Sequence, residues 1–335
     1  MKTTAHAIVA IFAAIALAAE PATQNSTMSA VCAREAGGPE VLKIEQIPKP
    51  TPAASELLVK VYAAGVNPVD WRMRQGGAGR RGGQPYIPGF DVSGVVEQVG
   101  TGVTKFKSGD AVFAMLGLNR GGGYAEYAIV KESEAAMKPA KLSHVEAAAV
   151  PLAALTAWQA LIDTAKVEKG QTVLIHGGAG GVGSFAVQIA KWKGARVIAT
   201  ASKENHEFLR QIGADETIDY HTQKFSDVAK DVDVVLDTVG GQTQADSWAV
   251  MKKGGILVSI VGRPAADKAR EAGVRGEGIL VRSSSDELAQ IAKLIDDGSI
   301  KPVVTYTFSL SDAAKAQEQS ETHHTRGKIV LKVAE

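Results

Sequence analysis

His176-Gly177-Gly178-Ala179-Gly180-Gly181-Val182-Gly183 holds a G-x-G-x-x-G pattern at Gly178, Gly180 and Gly183. The pattern alone is weak. Here it follows a short apolar run, residues 172–176 (TVLIH), and opens a stretch of helical spacing over residues 182–193. A strand that passes through glycines into a helix is the context that gives the pattern meaning as a dinucleotide site. Small residues let the backbone approach a pyrophosphate, and the helix N-terminus offers unpaired N–H groups and partial positive charge. Gly183 lets the helix pack closely on the sheet. Gly178, Gly180, Gly181, Val182 and Gly183 are therefore the candidate phosphate-binding residues.

Downstream, the spacing predicts strands at residues 196–200, near Thr217-Ile218, at 232–237, 255–261 and near 279–281. It predicts helices at 203–212 (ending at Gly213), 243–251 and 286–297. Strands alternating with helices predict an α/β unit with a doubly wound parallel sheet. The end of the second strand bears on the cofactor. A site for NAD usually places Asp or Glu there, to bind the ribose 2′-hydroxyl. This chain has Thr200-Ala201-Ser202-Lys203 instead. A hydroxyl and a cation suit a 2′-phosphate that a carboxylate would repel. The expected cofactor is NADPH, with Ser202 and Lys203 on its phosphate.

Upstream, short β-branched runs alternate with Gly and Pro: 57–63 (LLVKVYA), 92–99 (VSGVVEQV), 111–114 and 124–130 (YAEYAIV). Such punctuation predicts an all-β barrel or sandwich. Residues 75–84 (QGGAGRRGGQ) read as a solvated loop. The tail, 301–333, returns to strand-like runs. Residues 1–27 differ from the rest: Lys2 precedes 13 uncharged apolar residues, 7–19 (AIVAIFAAIALAA), then Ala16-Leu17-Ala18 and a polar stretch. This is the layout of a signal peptide, too short for a comfortable membrane span, so no stable anchor is expected. Two readings stay open: export to the periplasm or medium, or a cytoplasmic protein that starts at Met28.

Over 335 residues, 37 basic and 36 acidic side chains leave a net charge of +1, which gives no electrostatic case for nucleic acid. The single cysteine, Cys32, excludes an intrachain disulfide and a Cys-rich zinc site. His323-His324 has no partner at ligand spacing, so no metal is expected. Tyr127 and Lys131 match a Tyr-x-x-x-Lys pair, but they precede the glycines and lie in strand-like sequence, so the match is accidental.

The ordered blocks Gly38-Pro39-Glu40-Val41-Leu42, Ala64-Gly65-Val66-Asn67-Pro68-Val69-Asp70-Trp71, Pro88-Gly89-Phe90-Asp91-Val92-Ser93-Gly94, Ala154-Leu155-Thr156-Ala157, the glycine motif, Gly213-Ala214-Asp215, Asp237-Thr238-Val239-Gly240 and Thr325-Arg326-Gly327-Lys328 span nearly the whole chain. Together they resemble the zinc-independent branch of the medium-chain dehydrogenase/reductase superfamily, the quinone oxidoreductase and alkenal reductase group. The resemblance implies a GroES-like barrel domain (28–151, completed by 300–335) with a Rossmann NADP-binding domain (152–299) inserted, the cleft between them, and a homodimer. Zinc-dependent relatives carry Cys or His near Asn67, His at Phe90 and Cys at Ala153 or Ala154; this chain carries no such ligand there. By the same resemblance Asn67 and Thr156 contact the nicotinamide end. Tyr220 lies at the 2′-phosphate or adenosine, Val261 and Gly262 line the nicotinamide pocket, and Arg326 and Lys328 line the cofactor or cleft mouth. Asn67, Asp70 and Tyr124 are the candidate catalytic or substrate-side groups. The implied reaction is hydride transfer from NADPH to a quinone or an α,β-unsaturated carbonyl. The alternatives are an enoyl-thioester reductase, with Arg80-Arg81 as its one basic feature, and a weakly catalytic NADPH-binding or structural protein.

Overall fold

The computed structural model describes residues 27–76 and 85–334. The signal-type stretch up to residue 26 and most of the glycine-rich loop, including Arg80-Arg81, lie outside the described residues; Thr27 already opens the first strand.

The first half contributes β1 (Thr27–Ala33), β2 (Leu42–Pro48), β3 (Glu56–Val66), β4 (Asp91–Val99), β5 (Ala111–Met115), β6 (Tyr127–Lys131) and β7 (Ala135–Met137). The centre contributes β8 (Thr172–Ile175), β9 (Arg196–Ala201), β10 (Glu216–Asp219), β11 (Val232–Asp237), β12 (Met251–Ser259) and β13 (Arg275–Gly278); the tail adds β14 (Val304–Ser309) and β15 (Lys328–Lys332). Three sheets result. β1 and β2 form a hairpin; β14-β15-β3-β4-β5-β7 form the GroES-like sheet, with β6 also on β3; and β10-β9-β8-β11-β12-β13 form the Rossmann sheet.

β3 is the hub of the barrel, because it pairs antiparallel with β4, β6 and β15. Only the tail strand completes it. β14 and β15 run parallel, so a crossover must join them; the helix Ala313–Glu321 makes it. All pairs of the Rossmann sheet are parallel. Their order places the crevice at the carboxyl end of β8, where the strand order reverses. One apolar cluster runs from Phe90, Phe113 and Met115 of the barrel, through the helix Pro151–Trp158, to Val173, Ile175 and Phe185 of the Rossmann unit. The two halves therefore share a core across the cleft.

Differences from the sequence reading are local. The strand expected near 279–281 lies earlier, at Arg275–Gly278, and residues 279–284 have no regular structure. The helix expected over 203–212 is a 3₁₀ turn, Lys203–Asn205, followed by His206–Gln211. The strand-like tail contains the helix Ala313–Glu321.

Gly183 sits where the glycine loop crosses its helix. A Cβ there would lie 2.2 Å from the Gly177 carbonyl oxygen, a backbone atom with nowhere to go. Gly183→Ala is therefore expected to lower stability by about 1–3 kcal/mol, read as a drop in the urea midpoint. An unchanged midpoint would show that helix and loop separate without cost.

Candidate active site

The glycine loop is held from behind by the end of β9. Gly178 N–H donates to the Thr200 carbonyl at 2.9 Å and Gly177 N–H to Thr200 Oγ1 at 3.2 Å. His176 lies behind this clamp, fully buried, with Nδ1 3.3 Å from Thr200 Oγ1 and Nε2 3.0 Å from Ser247 Oγ. Ser247 spends its own proton on the Thr243 carbonyl, so His176 Nε2 donates to Ser247 and Nδ1 accepts from Thr200. Burial pushes the His176 pKa down to about 4, which keeps this a neutral, structural histidine.

At the front, the helix Gly181–Trp192 has no side-chain cap, so its first N–H groups stay available to an anion. Gly178 and Gly183 are required by the protein: a Cβ would meet Ala199 at 2.8 Å or Gly177 at 2.2 Å. Gly180 is different, since the nearest protein atom to a Cβ there is 3.4 Å away. No protein atom crowds a side chain there, and its absence leaves the backbone open to close approach from outside. The loop thus fits a dinucleotide pyrophosphate. At the far end of β9, Ser202 Oγ donates to Glu204 at 2.7 Å and accepts from Asn205 at 3.0 Å, while Lys203 is exposed. Tyr220 is 51% exposed and its N–H reaches the Ala201 carbonyl at 3.4 Å. Ser202, Lys203 and Tyr220 are therefore neighbours, but a carboxylate, Glu204, stands among them. Val261 and Gly262 follow β12 and are exposed. Arg326 places its guanidinium over the Phe208 ring at 5.6 Å.

On the barrel side, Asn67 ends β3 and starts the helix Pro68–Gln75, where Pro68 at the first position suits the missing N–H. Asp70 folds back to accept the Asn67 N–H at 2.8 Å and the Tyr124 hydroxyl at 2.9 Å, both on Oδ2. Its Oδ1 has no hydrogen-bond partner among the described residues. The carboxyl is fully buried, and burial raises its pKa to about 7 despite the two donors. Tyr124, also buried and next to Asp70, is raised well above the usual phenol range. Asp70 thus ties the Tyr124 hydroxyl to the Asn67 backbone, while the Asn67 carboxamide bonds elsewhere. Trp71, on the same helix, turns away and bonds Ser320 at 3.3 Å.

The residue that sequence reading left out is Asp91, the first residue of β4, fully buried. Its Oδ1 accepts the Leu152 N–H at 2.7 Å and its Oδ2 accepts Asn67 Nδ2 at 2.8 Å. Lys328 Nζ lies 3.8 Å away, buried, and donates to the Val66 carbonyl at 3.0 Å and to Asn67 Oδ1. The Lys328 head group thus lies on Val66, Asn67 and Asp91, where the resemblance implies a residue lining the cofactor or cleft mouth. Burial lowers the Lys328 pKa and raises that of Asp91, each opposed by the other's charge. A carboxylate heading an apolar strand is the signal that marks Asp91, since a buried charge requires a partner. Thr156 lies one turn beyond Leu152, and its hydroxyl donates to the Leu152 carbonyl at 2.7 Å.

Residues 53–140 match the family described as alcohol dehydrogenase GroES-like domain, and residues 212–331 match the zinc-binding dehydrogenase family. The chain is 35% identical to a quinone oxidoreductase of Sus scrofa, over 91% of this chain and 97% of that protein. The chain belongs to the quinone oxidoreductase and alkenal reductase group of the medium-chain dehydrogenases/reductases. It is also 38% identical to a chloroplastic NADPH-dependent alkenal/one oxidoreductase of Arabidopsis thaliana, over 88% of this chain and 77% of that one. The solved quinone oxidoreductase of Coxiella burnetii superposes with a TM-score of 0.87 and 38% identity, covering 92% of this chain and all of that one.

Asp70 gives a testable pH dependence. Between about pH 4, where a free Asp ionises, and pH 7 the folded protein holds a proton that the unfolded chain has released. Its contribution to stability therefore falls as pH rises through this window and is flat above it. Asp70→Asn, which keeps an acceptor for Asn67 and Tyr124, is expected to flatten that part of the profile. Urea midpoints between pH 4.5 and 8 measure this; parallel profiles for the two proteins would refute the raised pKa.

Proposed function

We propose that the chain reduces a quinone or an α,β-unsaturated carbonyl with NADPH and without zinc. Similarity to quinone and alkenal/one oxidoreductases along nearly the whole chain carries the substrate class. The proposed parts are a barrel unit (28–151 with 300–335) and a dinucleotide unit (152–299), assembled as a homodimer, with residues 1–27 a signal peptide or an N-terminal extension.

The zinc-binding label of one matching family does not fit the donor set. The positions that would supply ligands hold Asn67, Phe90 and Ala153 or Ala154. Asp91 already accepts two hydrogen bonds and faces the Lys328 ammonium at 3.8 Å. A second cation against that carboxylate would meet like-charge repulsion in a buried place. Among the described residues no three His, Cys, Asp or Glu side chains converge on one point.

When bound, the nicotinamide supplies the hydride. The protein's own work is binding and orientation. The uncapped helix at Gly181–Trp192, with Gly178 to Gly183, takes the pyrophosphate. Ser202, Lys203 and Tyr220 would hold the 2′-phosphate, Ser202 giving up its bond to Glu204 to do so. Among the described residues Asn67 makes one amide N–H bond, to Asp91; its second N–H would serve the nicotinamide end, as would Thr156. Val261 and Gly262 wall the nicotinamide, and Arg326 stands at the cleft mouth. The substrate gains hydride at an electron-poor carbon and a proton at the carbon or oxygen where negative charge gathers. A donor at that oxygen is worth about 3–4 kcal/mol.

Purified protein is expected to oxidise NADPH in the presence of a quinone or short enone, followed by absorbance, at a rate that chelators leave unchanged. Loss of turnover on chelation would end the metal-free reading. Lys203→Glu is expected to raise KM for NADPH at least about tenfold while changing KM for NADH little, as expected when a charge-assisted phosphate contact becomes repulsive. Equal changes for both cofactors would remove Lys203 from the phosphate site.

A further inference from the structure

Lys328 joins two parts of the molecule that hydride transfer needs in register. Its approach runs along the dinucleotide loop: Gly327 donates its N–H to the Ala179 carbonyl at 2.8 Å. Gly327 has φ +62°, and a Cβ there would lie 2.4 Å from the Val303 carbonyl oxygen, so a side chain is excluded on both grounds. The Lys328 stem then passes behind the first turn of the dinucleotide helix. A Cβ on Gly181 would lie 3.0 Å from Lys328 Cδ. The stem therefore fills the space that a side chain on Gly181, at the start of this helix, would need.

The ammonium ends in the barrel, on the Val66 carbonyl, Asn67 Oδ1 and the charge of Asp91. These partners decide how the Asn67 carboxamide lies. A lysine only donates and an ionised carboxylate only accepts. One orientation satisfies both, with Oδ1 toward Lys328 and Nδ2 toward Asp91. The flipped amide would set its NH₂ against the ammonium and its oxygen against the carboxylate. The same orientation determines which amide hydrogen of Asn67 is left for the nicotinamide.

We propose that Lys328 is a positioning residue that spans the glycine loop and Asn67, so that seating a dinucleotide on the loop and orienting the Asn67 carboxamide depend on one another. This rests on the NADPH-dependent reading above. Such a dependence is reciprocal: what Asn67 loses when Lys328 is removed, cofactor affinity loses as well. Lys328 acts through Asn67 and needs no contact with the cofactor itself.

The test is a double-mutant cycle between Lys328→Met and Asn67→Ala. Both are made in the otherwise native protein, where Asp91 still accepts from the Asn67 carboxamide, and Lys328→Arg is included as the variant that keeps the charge beside Asp91. NADPH affinity is measured by calorimetry, turnover with NADPH and a quinone by absorbance, and folding by the thermal midpoint. Lys328→Met is expected to weaken NADPH binding by about fivefold or more. It should also lower kcat by on the order of 10–100-fold, as misplaced reacting groups do, with KM for the quinone little changed. Lys328→Arg should recover most of both. In the cycle, Lys328→Met should add little to Asn67→Ala in either quantity. Weakened binding with unchanged kcat would make Lys328 a simple cofactor contact and overturn the proposal, and so would effects that multiply in the cycle. If the parent protein binds NADPH but turns over no quinone or enone, the substrate reading fails. The affinity cycle then still decides the role of Lys328.

Discussion

The buried Asp91 carboxylate is the constraint around which the two halves of this protein are arranged. It accepts from Leu152, which leads the chain into the dinucleotide unit, and from Asn67, which leaves the barrel's hub strand; it also faces Lys328, which brings the chain back. Three separate passages of the backbone are thus tied to one side chain. Gly65 has to be glycine for the same reason, since a Cβ there would lie 2.9 Å from the Asp91 Cβ and 2.4 Å from the Ala148 carbonyl oxygen. Burying an ion pair is a weak source of net stability, but removing one partner typically costs about 3–5 kcal/mol. The pair therefore acts less as glue than as a demand that β3, β4 and β15 meet in one register.

That register matters because the barrel is open until the tail arrives. β15 inserts beside β3 only after the chain has made the whole dinucleotide unit and the crossover helix Ala313–Glu321. The strand that closes the barrel therefore follows the whole Rossmann unit in the chain. Lys328 and Asn67 stand 261 residues apart in the chain yet share a hydrogen bond. The apolar cluster shared across the Pro151–Trp158 helix holds the same seam from the other side. A polar network on one flank and a continuous core on the other leave the cleft little freedom to shear.

What could be read in the chain follows from how local each signal is. The strand, glycine loop and helix from β8 to Trp192 are contiguous, and the steric need for Gly183 is met within a few residues. β13 was misplaced because Arg275–Gly278 (RGEG) carries no apolar pattern. It is an edge strand paired with β12 alone, and its backbone hydrogen bonds, not its side chains, make it a strand. The crossover helix Ala313–Glu321 was missed because its buried face is Ala313, Ala316, Gln317 and Ser320, small or polar residues that give almost no hydrophobic period. The glycine motif marked the phosphate loop, but the clamp of Thr200, His176 and Ser247 behind it depends on strands and a helix that are adjacent only in the folded sheet.

By itself, the sequence determined the fold class, the glycine loop between the first strand and helix of the Rossmann unit, and the lack of zinc-ligand side chains at Asn67, Phe90 and Ala154. These depend on residue type and short spacing. The tertiary structure alone decided that Lys328 reaches Val66 and Asn67, that Asp91 is its partner, that Asn67 is held in one orientation, and that burial raises the Asp70 pKa to about 7. Charge and burial at a point in space are sums over all the chain that packs there. No stretch of sequence contains that sum until β15 has closed the barrel.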